Sequence, residues 1–224
     1  LINWFEKKMK SQILSKLNSF MKNRLIELIG ISLICFGIFV LASILSYSPG
    51  DPNFIYSAES TEIKNVGGFY GSVISDFLLQ SLGLISLLFV SGFIYWGIKL
   101  FLKKKIVNFT AKIFFTLIYI ILGTTVLNIV HNDSFHLIDN GNGGFVGRIV
   151  KENIYYFTPL IENNYTIYGL IFLTVVFFIL SLGIKINEIN KILTFPIKLI
   201  YGVISLFKSK KNKINNIGDE ADTI

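Results

Sequence analysis

His131, Asp133, His136 and Asp139 crowd one short stretch and form the only grouping in the chain with the side chains of a metal site. Their spacing matches no zinc pattern, and the stretch is a polar connection where His and Asp are ordinary, so no metal is expected. Two glycine clusters, Gly67-Gly68-Phe69-Tyr70-Gly71 and Gly143-Gly144-Phe145-Val146-Gly147, are of a type that can cradle phosphate. Neither carries the lysine of G-x-x-x-x-G-K-[ST], a pattern that occurs nowhere in the 224 residues. ATP hydrolysis is therefore not expected of this chain, and the glycines read as tight turns that need positive φ. No serine sits in a G-x-S-x-G elbow, and the single cysteine, Cys35, lies in an apolar run. Neither a nucleophile nor a disulfide is expected, and no catalytic, cofactor or metal site is assigned.

The elements that carry these residues are apolar. Leu28 to Gly50, Phe77 to Ile98, Ile113 to Asn132 and Asn163 to Ile184 contain no Asp, Glu, Lys or Arg. About 20 apolar residues at 1.5 Å rise match a hydrocarbon core of about 30 Å, so each window predicts one transmembrane helix. The fold expected is an all-α integral membrane domain over 23–184, with spans of about 25–47, 77–101, 111–131 and 164–184.

The lysines orient these spans. Of 21 Lys and Arg, six precede the first window, five lie between the second and third, and seven follow the fourth; the other two connections hold Lys64, Arg148 and Lys151. By the positive-inside rule both termini and the middle connection are cytoplasmic, and 51–76 and 133–162 lie outside. The formal charge of +7 is thus explained by topology rather than by nucleic-acid binding.

Two flanks are expected to lie on the inner leaflet. In 1–22, Met9, Ile13, Leu17 and Phe20 share a helical stripe, and in 185–224 a second amphipathic segment runs from Ile186 to Phe207 before the start of a linker. The sequence opens on Leu1 and closes on a polar run, which reads as a truncated frame or a split gene. Ser32, Ser43, Thr124, Thr125, Asn128 and Ser181 are polar positions within the windows, and Ala42, Ser46 and Gly92 are small residues at which helices can approach.

The glycine clusters repeat at a period of 76, each with an asparagine just upstream, Asn65 and Asn142. Each lies between an outward and a returning span. That places two hairpins of like orientation about an axis along the membrane normal.

Around the first cluster the sequence becomes specific. Ser46-Tyr47-Ser48-Pro49-Gly50-Asp51-Pro52 ends the first window, and Asn65, Gly68, Gly71, Asp76 and Leu78 lead into the second. This resembles the amino-terminal four-helix membrane domain of the FtsK/SpoIIIE family of bacterial DNA translocases. There, a Ser-Tyr-Ser-Pro-x-Asp-Pro motif precedes Asn-x-x-Gly-x-x-Gly-Ala-x-x-Ala-Asp-x-Leu, and Ser72 and Ser75 stand here in place of the two alanines. The resemblance implies a membrane anchor in cell division and chromosome segregation. That anchor would sit in the inner membrane at the division septum, self-assemble, and contact divisome membrane proteins and the lipid bilayer. ATP, Mg and DNA would be handled by a motor domain absent from these 224 residues.

Pro49, Asp51, Pro52, Asn65, Gly68, Gly71 and Asp76 are the residues expected to shape this outer loop or meet partners. Read bottom-up, Pro49 and Pro52 stop the first helix, Asp51 caps its own turn, and Asp76 favours the positive start of the returning helix. Two other readings remain beside the anchor: a small transporter or channel subunit whose hairpins enclose a pore, and a free-standing membrane scaffold. The four windows hold no Asp, Glu, Lys or Arg for ion coupling, which weighs against the first.

Overall fold

The computed structural model describes residues 2–54, 62–103, 105–133, 140–158 and 163–184. The chain divides into two compact units, Leu1–Leu182 and Gly183–Ile224, and the first carries every element described here. Among the described residues six helices follow in order: α1 (Ile2–Leu45), α2 (Gly68–Leu82), α3 (Ile85–Lys103), α4 (Phe109–Val130), α5 (Gly144–Phe157) and α6 (Asn164–Leu182). Four of them hold segments long and apolar enough to cross a membrane, Gln12–Leu45, Ile85–Leu102, Phe109–Val130 and Asn164–Leu182. The all-helical, four-span membrane fold expected from the sequence is the fold found. At 1.5 Å per residue α2 and α5 are only about 22 Å long, too short to cross.

Two boundaries differ from expectation. The amphipathic segment expected over 1–22 is not a separate element but the first half of α1, which runs unbroken for 44 residues. No Gly or Pro occurs between Ile2 and Ile29 to interrupt it, and an Arg24–Glu27 ion pair one turn apart bridges the anticipated junction. The span expected over 77–101 is divided. Phe77 to Leu82 close α2, Gly83 turns at φ 58°, and α3 starts at Ile85. A charge-free window cannot register such a corner, because glycine changes the direction of the backbone without changing hydrophobicity. The second flank, 186–207, lies outside the described residues.

The six helices form two copies of one pattern: a long helix, a short one lying on it, and a second long helix. Within the first copy α1 packs on α2 and α3; within the second α4 packs on α5 and α6. The copies meet through α2 and α5 and through α3 against α4 and α6. Glycines set the closest approach. A Cβ on Gly30 would lie 2.9 Å from the Gly97 carbonyl oxygen, and one on Gly97 would lie 2.8 Å from that of Gly30, so α1 and α3 touch backbone to backbone. Gly92, by contrast, meets only ordinary contact with Leu182.

One core cluster joins Val40, Ile44, Leu79 and Val90 from α1, α2 and α3, and a second joins Ile85 with Tyr119 and Ile120 across the two copies. Large apolar side chains such as Ile38 and Phe172 face outward, as helices bathed in hydrocarbon require. The buried hydroxyls of Ser43, Thr116, Thr124, Thr125 and Thr174 each bond a carbonyl one turn back on their own helix. These groups are satisfied locally and do not line a polar path.

Candidate functional site

The loop between α1 and α2 gathers the residues singled out in the sequence. α1 ends at Leu45, four residues before Pro49. Its last turn closes with the Ser46 amide and hydroxyl both donating to Ala42 O, at 3.0 and 2.8 Å. Helix termination therefore precedes the prolines, which shape the exit instead. Pro49 is exposed, while Pro52 is half-buried and accepts from Ser72 Oγ at 2.8 Å through its carbonyl.

Asp51 does not cap its own turn. It is 4% exposed, and its carboxylate accepts from the backbone N–H groups of Lys64 at 3.0 Å and Asn65 at 2.8 Å. Charge-assisted bonds to main-chain donors are among the stronger polar contacts in proteins, and these two close a loop of more than a dozen residues. Asn65 is thereby held over the end of α1. Its Nδ2 donates to Ser43 O at 2.8 Å and to Ser75 Oγ at 3.2 Å, and its Oδ1 accepts from Gly67 N at 2.9 Å. Ser43 O is one of the last carbonyls of α1, which lack an intrahelical partner, so Asn65 caps that helix from a distant position.

The glycines answer to this knot. A Cβ on Gly71 would lie 2.5 Å from Asn65 Oδ1 and 2.7 Å from Ser43 Oγ, and one on Gly67 would lie 2.5 Å from Ser43 Oγ. Gly68 opens α2 at φ 63° with open space where its side chain would be. Gly68→Ala is therefore expected to cost only the left-handed penalty, about 1–2 kcal/mol, with Gly68→Asn cheaper. A lower thermal midpoint for Gly68→Ala, partly restored in Gly68→Asn, would show that conformation rather than space is what this glycine supplies; equal losses would refute it.

Asp76 is not at the start of the returning helix. It lies midway along α2, beyond the reach of the dipole's first turn. Its two oxygens accept from Tyr47 Oη at 3.0 Å and Asn53 Nδ2 at 2.9 Å. Ser72 and Ser75 are more than small stand-ins, since Ser72 holds Pro52 and Ser75 receives Asn65 while donating to Ser72 O. All seven singled-out residues thus fall in one stretch, and all but the exposed Pro49 engage in its bonds or close contacts.

The second glycine cluster forms a like corner. Gly144 opens α5 at φ 64°, and its N–H donates to Gly141 O as that of Gly68 does to Asn65 O. Gly143 and Gly147 press on Thr124 of α4 as Gly67 and Gly71 press on Ser43 of α1. Asn142 Nδ2 donates to His131 O and Asp133 O, both at 3.0 Å, closing the end of α4. This corner also receives the other copy. Leu84 N donates to Asn142 O at 3.0 Å, and Asn140 Nδ2 donates to Gln80 Oε1 at 2.8 Å.

Sequence reasoning named Ser43 only as a polar position within a window, and missed Gly83 and the roles of Ser43 and Asn142. A serine or threonine near the end of an apolar window, with a glycine pair in the connection after it, is the signal that Ser43 shares with Thr124. Among the described residues no group of three or more His, Cys, Asp or Glu is placed to hold a metal; His136 and Asp139 lie outside them. The site's polar groups are turned on one another, an arrangement that positions helices rather than reacting groups.

Comparison with known proteins bears on the membrane fold. The family model of the 4TM region of DNA translocase FtsK/SpoIIIE matches residues 22–194. The chain is 29% identical over 196 residues to the DNA translocase FtsK of Rickettsia prowazekii (strain Madrid E), covering 81% of this chain and 25% of that one. It is 25% identical over 205 residues to that of Rickettsia bellii (strain RML369-C), covering 89% and 26%, and 22% identical over 136 residues to that of Mesorhizobium japonicum (strain LMG 29417 / CECT 9101 / MAFF 303099), covering 61% and 15%. The chain thus spans about a quarter of the length of the first of these relatives. No solved structure matches. With four membrane-length helices and a family match over most of its length, this chain belongs to the family of 4TM regions of FtsK/SpoIIIE DNA translocases.

Proposed function

We propose that this chain is the membrane anchor of an FtsK-type DNA translocase. It tethers and assembles a cytoplasmic DNA motor at the division septum, within the inner membrane. The observation that carries this is the family match over 22–194 together with four membrane-length helices. The concentration of Lys and Arg at both ends and between α3 and α4 supports cytoplasmic termini and an external Asp51–Asn65 knot. ATP, Mg and DNA are the business of the motor, since the 224 residues carry no G-x-x-x-x-G-K-[ST]. Divisome membrane proteins and further copies of the chain are its protein partners.

A fluorescent fusion of the chain, expressed in its host, is expected to concentrate at mid-cell in dividing cells. Uniform fluorescence around the envelope, with the fusion intact and inserted, would rule out septal tethering by this segment.

A further inference from the structure

α2 is too short to cross the membrane, and between it, α1 and α3 lies a cavity of about 240 Å³. Phe36 and Val40 of α1, Val73 of α2 and Phe93 of α3 form its walls, and Phe54 and Phe77, 84% and 65% exposed, stand at its mouth. Every residue that lines it is apolar. Phe36 packs edge-on against Phe93 at 6.4 Å between ring centroids, which gives the deep end a firm wall. Phe36 and Val40 lie nine and five residues before the end of α1, about 14 and 8 Å at 1.5 Å per residue. The cavity therefore sits in the half of a core about 30 Å thick that borders the α1–α2 loop.

Water, a protein helix and lipid are the occupants to be weighed at that depth. Water finds no partner on apolar walls, and cavities of this character stay dry. A helix is about 10 Å across with its side chains, too wide for the space. A single hydrocarbon tail is narrow, apolar along its length, and belongs to the medium onto which Phe77 opens.

The mouth also carries a charge. Asp76 and Asn53 adjoin Phe77 and Phe54 in the sequence, and Asn53 Nδ2 donates to one Asp76 oxygen at 2.9 Å while Tyr47 Oη donates to the other at 3.0 Å. Both donors are neutral. Arg24–Glu27 is the only ion pair among the described residues, and Lys64, the single Lys or Arg between α1 and α2, is exposed and forms none with Asp76. A carboxylate at the edge of hydrocarbon without a cation beside it favours a positively charged ligand and repels an anionic one.

We infer that this slot holds the acyl tail of one phospholipid, from the leaflet that borders the α1–α2 loop, whose primary-ammonium headgroup rests at the Asp76 carboxylate. In the anchor reading that leaflet is the outer one. The site goes beyond the anchoring role and needs only the membrane fold: one lipid is retained and selected by headgroup, whereas the outward faces of the other helices meet lipid without selection.

The test begins with the protein reconstituted in vesicles of equal parts phosphatidylethanolamine and phosphatidylglycerol with identical acyl tails, then released in mild detergent and weighed by native mass spectrometry. The parent is expected to keep one phospholipid, with phosphatidylethanolamine favoured at least about five-fold, the scale of one exposed ion pair. Asp76→Asn preserves the links to Tyr47 and Asn53, since an amide can turn to present donor or acceptor; it should keep a lipid but lose the preference. Ile74→Trp, which fills the slot from α2, should keep none.

Equal retention of the two lipids by the parent, or an unchanged preference in Asp76→Asn, would overturn the inference. So would a parent that carries no lipid, which leaves the cavity to a side chain of a membrane partner, and an Ile74→Trp variant that carries lipid as the parent does. None of these results touches the anchor reading, which mid-cell fluorescence decides.

Discussion

Gly83→Ala is expected to be the most damaging single-methyl change in the chain, lowering stability by about 4 kcal/mol. Two independent costs combine at this residue. Its φ of 58° with ψ of −145° lies in a region open essentially to glycine, where other residues incur about 1–3 kcal/mol of strain. In addition, a Cβ here would overlap the Asn142 carbonyl oxygen and come within 2.8 Å of Gly144 N. Both are backbone atoms held by the Leu84–Asn142 bond, so they have little room to yield, and overpacking of this kind costs about 1–3 kcal/mol.

Thermal unfolding in mild detergent should show a midpoint lower by roughly 10 °C, using about 2–4 °C per kcal/mol for a chain of this size. Gly92→Ala, where the added methyl meets only Leu182 at 3.9 Å, should stay within about 1 kcal/mol of the parent. Equal midpoints for Gly83→Ala and the parent would mean that the two halves of the molecule do not meet at this corner.

The second large effect belongs to Asp51. Asp51→Ala removes both acceptors of the Lys64 and Asn65 amides and releases Asn65 from the end of α1. A loss of about 3 kcal/mol is expected, since each buried donor left without a partner costs about 1–3 kcal/mol. Asp51→Asn should cost about 2 kcal/mol, because its amide oxygen can serve one N–H while its NH2 faces the other.

Hydrogen exchange separates this from a general loosening. The Lys64 and Asn65 amides should exchange at least about ten-fold faster in Asp51→Ala, at about 1.4 kcal/mol per decade, while amides in the middle of α4 change less. Uniform acceleration along the chain would argue against a local clasp. Pro49→Ala, at an exposed position, should move the midpoint by less than about 1 kcal/mol.

How much of this was legible in the sequence differs from element to element. The four membrane-length helices were, because the transfer of about 20 apolar side chains into hydrocarbon is large, local and nearly additive, so a charge-free window suffices. The seven loop residues were legible as a set, since Pro, Gly, Asp and Asn announce a turn by their own conformational preferences. Their mechanics were not. Asp51 looked like a cap for its own turn but serves amides 13 and 14 residues away, and Asp76 looked like a helix-start charge but lies in mid-helix facing Tyr47 and Asn53.

The sequence by itself determined the class of the molecule, its four spans, the two glycine corners and their common period. These follow from hydrophobicity, charge and φ preference, which each residue carries wherever the chain puts it. Only the tertiary structure decided that the second apolar window turns at Gly83, that α1 runs on without a break, and that Gly71 must lack a side chain. It alone also showed that the two halves meet where the far end of α2 reaches the entry to α5. Those facts depend on atoms brought close from distant parts of the chain, such as Ser43 against Gly71 and Asn142 against Gly83. A contact of that kind has no counterpart in the local composition of either partner.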